Sequence, residues 1–281
     1  MIEESETVSS EDYHKLPGVS NSRLKDFIED PRIYHYKWIS GEYVQPAKDH
    51  FDFGSAVHEV ALLGRSAANI VVIPDSVLSA SGSRAGGKWK EFAAANDGSL
   101  LLKGHDFDSV MRCVDAVHKH PVASKLLRAP GYAEQMFVKQ FSELGLSLRC
   151  KPDKLIPIAD DGRAIVLDLK TTQATQPGAF VKSIDNFRYA NQEYFYRKVL
   201  AECGYVVDAF VFVAVSVEQP HTVDCYSLSQ EWLDMATEEV ETALSNLARR
   251  TIENDWESET SGKIVCLSPP NYLKYRNEYS L

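Results

Sequence analysis

The sequence predicts a mixed α/β (α+β) fold in which a helical N-terminal extension leads into a sheet region of order βββαβ. Three observations predict it. Apolar residues recur at helical spacing through much of the first 130 positions. From about residue 133 the chain turns to short runs rich in Val, Ile, Leu and Phe, bounded by turn residues. One helical segment, residues 186–203, then separates two strand-like runs, IVLDLKTT and AFVFVAVS. We read one domain over residues 1–281: mainly helical over 1–130, sheet and helices over 131–255, and an irregular tail over 256–281.

The elements follow in chain order. After a polar, acidic leader, Val19, Ser20, Asn21 and Ser22 offer N-cap candidates for a short helix whose apolar face is Leu24, Phe27 and Ile28 and which stops near Pro31. The run GSAVHEVALLG puts Val57, Val60, Ala61 and Gly64 on one face and predicts a buried helix. Residues 79–90 are rich in Gly and Ser and carry Arg84, Lys88, Trp89 and Lys90, the pattern of a mobile basic loop leading into another helix. Val110, Val114, Val117 and Val122 predict one helix over 106–127. Strands are expected over 133–141, 146–158 and 164–171, the last two joined by a turn at Ala159-Asp160-Asp161-Gly162. Residues 209–216 are apolar enough for a central strand buried on both faces, and 223–228 fit an edge strand. Ser229 then caps a long helix bearing Leu233, Ala236, Val240, Leu244 and Leu247.

Composition narrows the function. Among 281 residues, 44% are hydrophobic and 25% charged, and no apolar run approaches the roughly 18 residues that span a bilayer. No membrane association is expected. The leader lacks the basic and apolar regions of a signal peptide, so a cytoplasmic location is expected. A net charge of -10 argues against indiscriminate polyanion binding, yet it allows a groove of basic residues beside metal-binding carboxylates. Cys113, Cys150, Cys203, Cys225 and Cys266 are scattered and form no CxxC pair. They are read as reduced core or near-core thiols, neither a zinc site nor a disulfide framework.

The chemistry concentrates in CKPDK and LDLK. If the turn is centred between Asp160 and Asp161, paired residue numbers sum to 321 and Asp153 faces Asp168; if Asp161-Gly162 forms the turn, the sum is 323 and Asp153 faces Lys170. In either register Asp153, Asp168 and Lys170 fall on one face, because side chains alternate with period two. Opposed carboxylates repel unless a cation lies between them, which points to a hard divalent metal, with the lysine orienting or deprotonating a water for attack on phosphorus. The bland alternative is a solvated hairpin with Lys170 as a simple ion-pair partner. Against it, Val166, Leu167 and Leu169 make an apolar strand in which Asp168 and Lys170 are poorly explained as surface.

The ordered set VSNSRLKDFIEDP, GSAVHEVALL, LRCKPDKL, IVLDLKTT and NQEYFYRKVL resembles the RecE-type exonuclease VIII family of PD-(D/E)XK nucleases, related more distantly to RecB nuclease domains and lambda exonuclease. The resemblance spans nearly the whole chain. It implies an αβββαβ restriction-endonuclease-like core and processive, Mg²⁺-dependent degradation of linear double-stranded DNA from the 5′ end, with Mn²⁺ able to substitute. It further implies a ring-shaped tetramer, a RecT-like single-strand annealing partner in phage-type recombination, and a bacterial or phage-infected host cell.

Carried over motif by motif, the resemblance implies that His58, Asp153, Asp168 and the backbone carbonyl of Leu169 hold metal and that Lys170 is the catalytic lysine. Glu134 is a candidate further carboxylate or a plain surface residue. Gln192 and Tyr196, four apart on one helix, match the family's Gln-x-x-x-Tyr motif and would position DNA; otherwise they form an ordinary polar helix face. Thr171 and Thr172 are candidate phosphate donors. Arg84, Lys88, Trp89 and Lys90 are candidate DNA contacts or a solvated loop. Some RecB-like nucleases place an iron-sulfur ligand cysteine where this chain has Asp30, so no iron-sulfur cluster is expected. The rival functions are a RecB-like structure-specific or single-strand nuclease, a non-catalytic DNA-binding protein of the same fold, and a small-phosphoester hydrolase.

Overall fold

A computed structural model describes residues 13, 16–44, 53–65, 68–258 and 260–269. Most of the polar leader and residues 270–281 of the expected tail lie outside them. Helix α1 (Asn21–Glu29) starts where the Ser20 side chain accepts from the Arg23 N–H. It buries Leu24 and Phe27 and ends at Asp30, whose extended backbone suits the residue before a proline. Pro31 does more than stop this helix: it occupies the first turn of α2 (Pro31–Trp38), capped by Asp30. Helix α3 (Phe53–Leu63) buries Ala56, Val57, Val60 and Ala61.

Parallel strands β1 (Ile70–Ile73) and β2 (Leu100–Lys103) form a small sheet within the part expected to be mainly helical. Between them, the expected loop over 79–90 is helical from Gly87, because α4 (Gly87–Ala95) already contains Lys88, Trp89 and Lys90. The helix expected over 106–127 is two helices, α5 (Gly104–Lys119) and α6 (Pro121–Arg128). Pro121 cannot donate to the α5 ladder and instead opens α6, which leaves Val122 exposed.

The sheet region is more divided than the sequence indicates. Strands β3 (Tyr132–Ala133), β4 (Phe137–Phe141), β5 (Leu146–Cys150), β6 (Lys154–Pro157) and β7 (Arg163–Thr172) replace the three expected. A left-handed Glu134, φ 54°, separates β3 from β4, and Lys151-Pro152-Asp153 separates β5 from β6. Strands β4 and β5 form their own hairpin. The main sheet has order β3-β6-β7-β8-β9, with β8 (Val206–Ser216) parallel to β7 and β9 (Val223–Tyr226) antiparallel at the edge. The crossover from β7 to β8 runs through two helices, α7 (Pro177–Phe187) and α8 (Tyr189–Glu202), split by a left-handed Arg188 where one helix was expected. Helix α9 (Gln230–Glu253) follows, buried along Ala236, Val240, Ala243, Leu244, Leu247 and Ala248. The described residues after it form neither helix nor strand.

The sheet separates two cores. Leu167, Leu169, Val213 and Val215 face α3 and α5; Ala164, Val166, Phe210, Phe212 and Ala214 face α7, α8 and α9. Strands β7 and β8 are therefore apolar on both sides, as their composition requires. Lys154 pairs with Leu167 and Pro157 with Ala164, so the β6–β7 register sums to 321. Gly162, at φ 88°, closes the turn where any Cβ would collide with the Gly204 carbonyl. All five cysteines are free; Cys113 and Cys150 are buried, but Cys266 is exposed rather than near the core. No described helix is long and apolar enough to cross a membrane.

Candidate active site and metal centre

Two clusters meet at the end of β6 and the middle of β7. The first belongs to the face of β7 that turns toward α8. Asp168 is 1% exposed in the sheet interior. Its Oδ1 lies 2.6 Å from the Lys170 ammonium, and its Oδ2 accepts from Gln192 Nε2 at 2.6 Å. Lys170 also donates to Gln192 Oε1 at 2.9 Å and lies 4.6 Å from the centre of the Tyr189 ring. One amide thus fixes the carboxylate and the ammonium together.

The second cluster surrounds Asp153, which lies one residue beyond the last β6–β7 pair and so at the level of Asp168. Asp153 Oδ2 accepts from the Leu169 backbone N–H at 2.6 Å and lies 3.2 Å from His58 Nδ1, which reaches it from α3 on the other side of the sheet. Glu134 joins because its N–H donates to the Asp153 carbonyl at 3.1 Å, which requires the left-handed turn after β3. Among the described residues, His58, Glu134 and Asp153 bring one nitrogen and two carboxylate oxygens within 4.8 Å of one another. Asp168 lies outside that trio.

This donor set fits a hard divalent cation: two carboxylates and one imidazole suit Mg²⁺ or Mn²⁺ better than a thiolate-seeking metal. Asp168 Oδ1 fits it too, being buried without a well-directed hydrogen bond among the described residues, 2.6 Å from the Lys170 ammonium.

The electrostatics agree with concentrated negative charge. Burial, opposed in part by Lys170 and reinforced by Asp153, pushes the Asp168 carboxyl up to about 6. Burial likewise raises Glu134, with Asp153 adding to it. Burial works to raise Asp153, but His58 and Lys170 outweigh it and hold that carboxyl below its usual range. Burial works to lower both cations; Asp153 nevertheless lifts His58, and Asp168 with Asp153 lifts Lys170. Lys170 is therefore an ammonium.

The other expected site residues divide. Tyr196 brings its hydroxyl to the Lys151 carbonyl at 3.4 Å, beside the Asp153 loop. Thr171 and Thr172 end β7, and the Thr172 hydroxyl donates to the Ala174 carbonyl at 3.2 Å. Arg84 donates to the Leu101 carbonyl at 2.9 Å and lies 5.7 Å from the Trp89 ring, while Trp89 is half-buried against Phe92. Arg84 and Trp89 belong to the β1–β2 region rather than to the two clusters. Lys151, which pairs with Glu134, and Tyr189, beneath the Lys170 ammonium, went unread in the sequence. The position of Lys151 two before Asp153 was a usable signal; for Tyr189 nothing local was.

A two-sided mixed sheet with a buried Asp-x-Lys strand and a facing acidic strand end defines the PD-(D/E)XK class of nuclease folds. The chain belongs to the family described as a PDDEXK-like domain of unknown function, DUF3799, whose profile matches residues 20–269. No curated protein matches it in sequence. Among solved structures, it is similar to a Eubacterium rectale protein described as a candidate exonuclease. That similarity has 13% identity and a TM-score of 0.60 and covers 97% of this chain and 99% of the other, a likeness of fold.

Proposed function

We propose that the chain is a Mg²⁺-dependent exodeoxyribonuclease that degrades linear double-stranded DNA processively from the 5′ end, in phage-type recombination. The observation that carries the reading is the junction of the two clusters: buried Asp168 and half-buried Lys170, clamped by Gln192, beside the His58–Glu134–Asp153 trio. Exonuclease action is favoured by the description of the Eubacterium rectale neighbour. Polarity, processivity, a ring-shaped tetramer and a RecT-like partner rest on the motif resemblance.

In this reading His58, Asp153 and Asp168 hold the metal, with the Leu169 carbonyl and Glu134 available to complete its shell. A bound divalent ion supplies charge stabilisation at phosphorus and a water of lowered pKa. Lys170, kept cationic by its two carboxylates, donates to the attacking water or to a phosphoryl oxygen rather than taking a proton. Gln192 orients it, and the Leu169 N–H orients Asp153.

The test is to give the enzyme a linear duplex labelled at either 5′ or 3′ ends, beside a covalently closed circle, with Mg²⁺. Rapid release of the 5′ label with the circle intact is the expected result. Cleavage of the circle, or release of 3′ label first, overturns end-dependence or polarity respectively.

A further inference from the structure

Phe187 is a large aromatic side chain left exposed against Tyr189, the ring that carries the Lys170 ammonium. It ends α7, just before the left-handed Arg188, and is 54% exposed. Its ring is not loose: it stacks on Tyr189 with centroids 5.7 Å apart and planes at 21°. Tyr189 is anchored in turn by stacking on Phe212 of β8, also at 5.7 Å and 21°. The Tyr189 ring is the one beneath the Lys170 ammonium, at 4.6 Å. Phe187 thus stands one ring away from the catalytic lysine. A second cation, Lys25 of α1, lies 5.6 Å from the Phe187 ring.

Leaving so much aromatic surface in water costs free energy that a polar residue at a helix end would avoid. Exposure alone is ordinary, but an aromatic held flat by a second ring, flanked by a lysine and adjoining a phosphodiester centre, has the composition of a nucleobase platform. Every base has a π face, so such a platform is sequence-tolerant, as an enzyme that degrades unrelated DNA requires.

We propose that Phe187, supported by Tyr189, is a base-stacking subsite for an unpaired nucleotide next to the scissile phosphate, with Lys25 contacting the neighbouring phosphate. This rests on the nuclease reading and adds to it a mode of grip: the strand is held by a base as well as by its backbone. Duplex ends that fray are engaged more readily, because the subsite accepts a base only once it has left its stack.

The probes are a single strand of about a dozen thymidines and a strand of equal length and charge built from abasic units, titrated in EDTA against the wild type, Phe187→Ala and Phe187→Trp. Phe187→Ala is expected to bind the thymidine strand roughly tenfold more weakly, while Phe187→Trp binds like the wild type. All three are expected to bind the abasic strand alike, and the exposed position predicts unchanged thermal melting. A purely structural role does not distinguish bases from abasic units. Equal binding of the thymidine strand by wild type and Phe187→Ala overturns the subsite alone. Failure of the wild type to bind either strand likewise overturns the subsite, whereas the nuclease reading fails separately, if the linear duplex survives the wild type in Mg²⁺.

Discussion

Replacing Lys170 with methionine tests the electrostatic design of the site in the metal-free protein. The substitution keeps most of the side-chain volume but removes the ammonium 2.6 Å from Asp168 Oδ1, leaving Gln192 Nε2 as the donor to a carboxylate that is 1% exposed. Breaking a buried pair and stranding one charge costs about 3–5 kcal/mol. That cost depends on pH in a determined direction. Asp168 already titrates at about 6 in the intact protein, above its unfolded value of 3.8, with Lys170 pulling it down; without Lys170 it moves higher. Between 3.8 and the folded pKa the folded state binds more protons than the unfolded one, so stability falls as pH rises through that window. In the wild type the fall ends near 6; in Lys170→Met it continues upward. Urea unfolding in EDTA is therefore expected to show a small difference between the proteins at pH 5 and one of up to about 2.7 kcal/mol at pH 8, two pH units above 6 at about 1.36 kcal/mol each. An equal difference at the two pH values would refute the argument that Lys170 stabilises by neutralising Asp168.

Three further outcomes are expected. Gln192→Leu removes the amide shared by Asp168 and Lys170 and should lower metal-free stability at pH 8 by about 1.5–3 kcal/mol, read by the same unfolding assay. His58→Ala should weaken Mn²⁺ binding at least roughly tenfold in calorimetry while leaving the fold intact by circular dichroism, since His58 is half-buried and contributes one of the three clustered donor atoms. Metal affinity should fall as pH drops through about 6, because protonation of Asp168 competes with the cation; Mn²⁺ titrations at pH 5 and pH 7.5 that agree would contradict this.

What the sequence made legible was what local chemistry controls. The Asp160-Asp161-Gly162 turn, with its left-handed glycine, set one of two candidate registers, and the 321 register brings Asp153 to the level of Asp168. The largely apolar 209–216 run was legible as a central strand because both its faces meet cores. Less legible was what depends on a break inside a continuous pattern. Arg188 adopts a left-handed backbone without being glycine, so nothing in its identity announces that α7 and α8 are separate. Pro121 did announce a break, but the valine periodicity on either side of it obscured the signal.

In the candidate site, His58, Glu134, Asp153, Asp168, Lys170 and Gln192 were each legible as candidates from their own segments, but the contacts that tertiary structure makes around them were less so. Asp168 and Lys170 stand two apart on one strand, and Gln192 falls on α8. The contact between Glu134 and Lys151, by contrast, depends on the turn after β3 and the interruption between β5 and β6, which merged the strands in the sequence reading. Tyr189 and Phe187 matter through stacking across α7, α8 and β8, a relation that no single-segment pattern contains.

The central claim, that the two clusters form one metal-dependent phosphodiesterase centre, is tested most directly by digesting a 5′-phosphorylated linear duplex with wild type and Asp153→Asn, each in Mg²⁺ and in EDTA. Asparagine keeps the shape and can still accept from the Leu169 N–H, but it removes the charge shared by the trio. The account predicts degradation only by the wild type and only in Mg²⁺. Degradation in EDTA, or by Asp153→Asn at the wild-type rate, would contradict it.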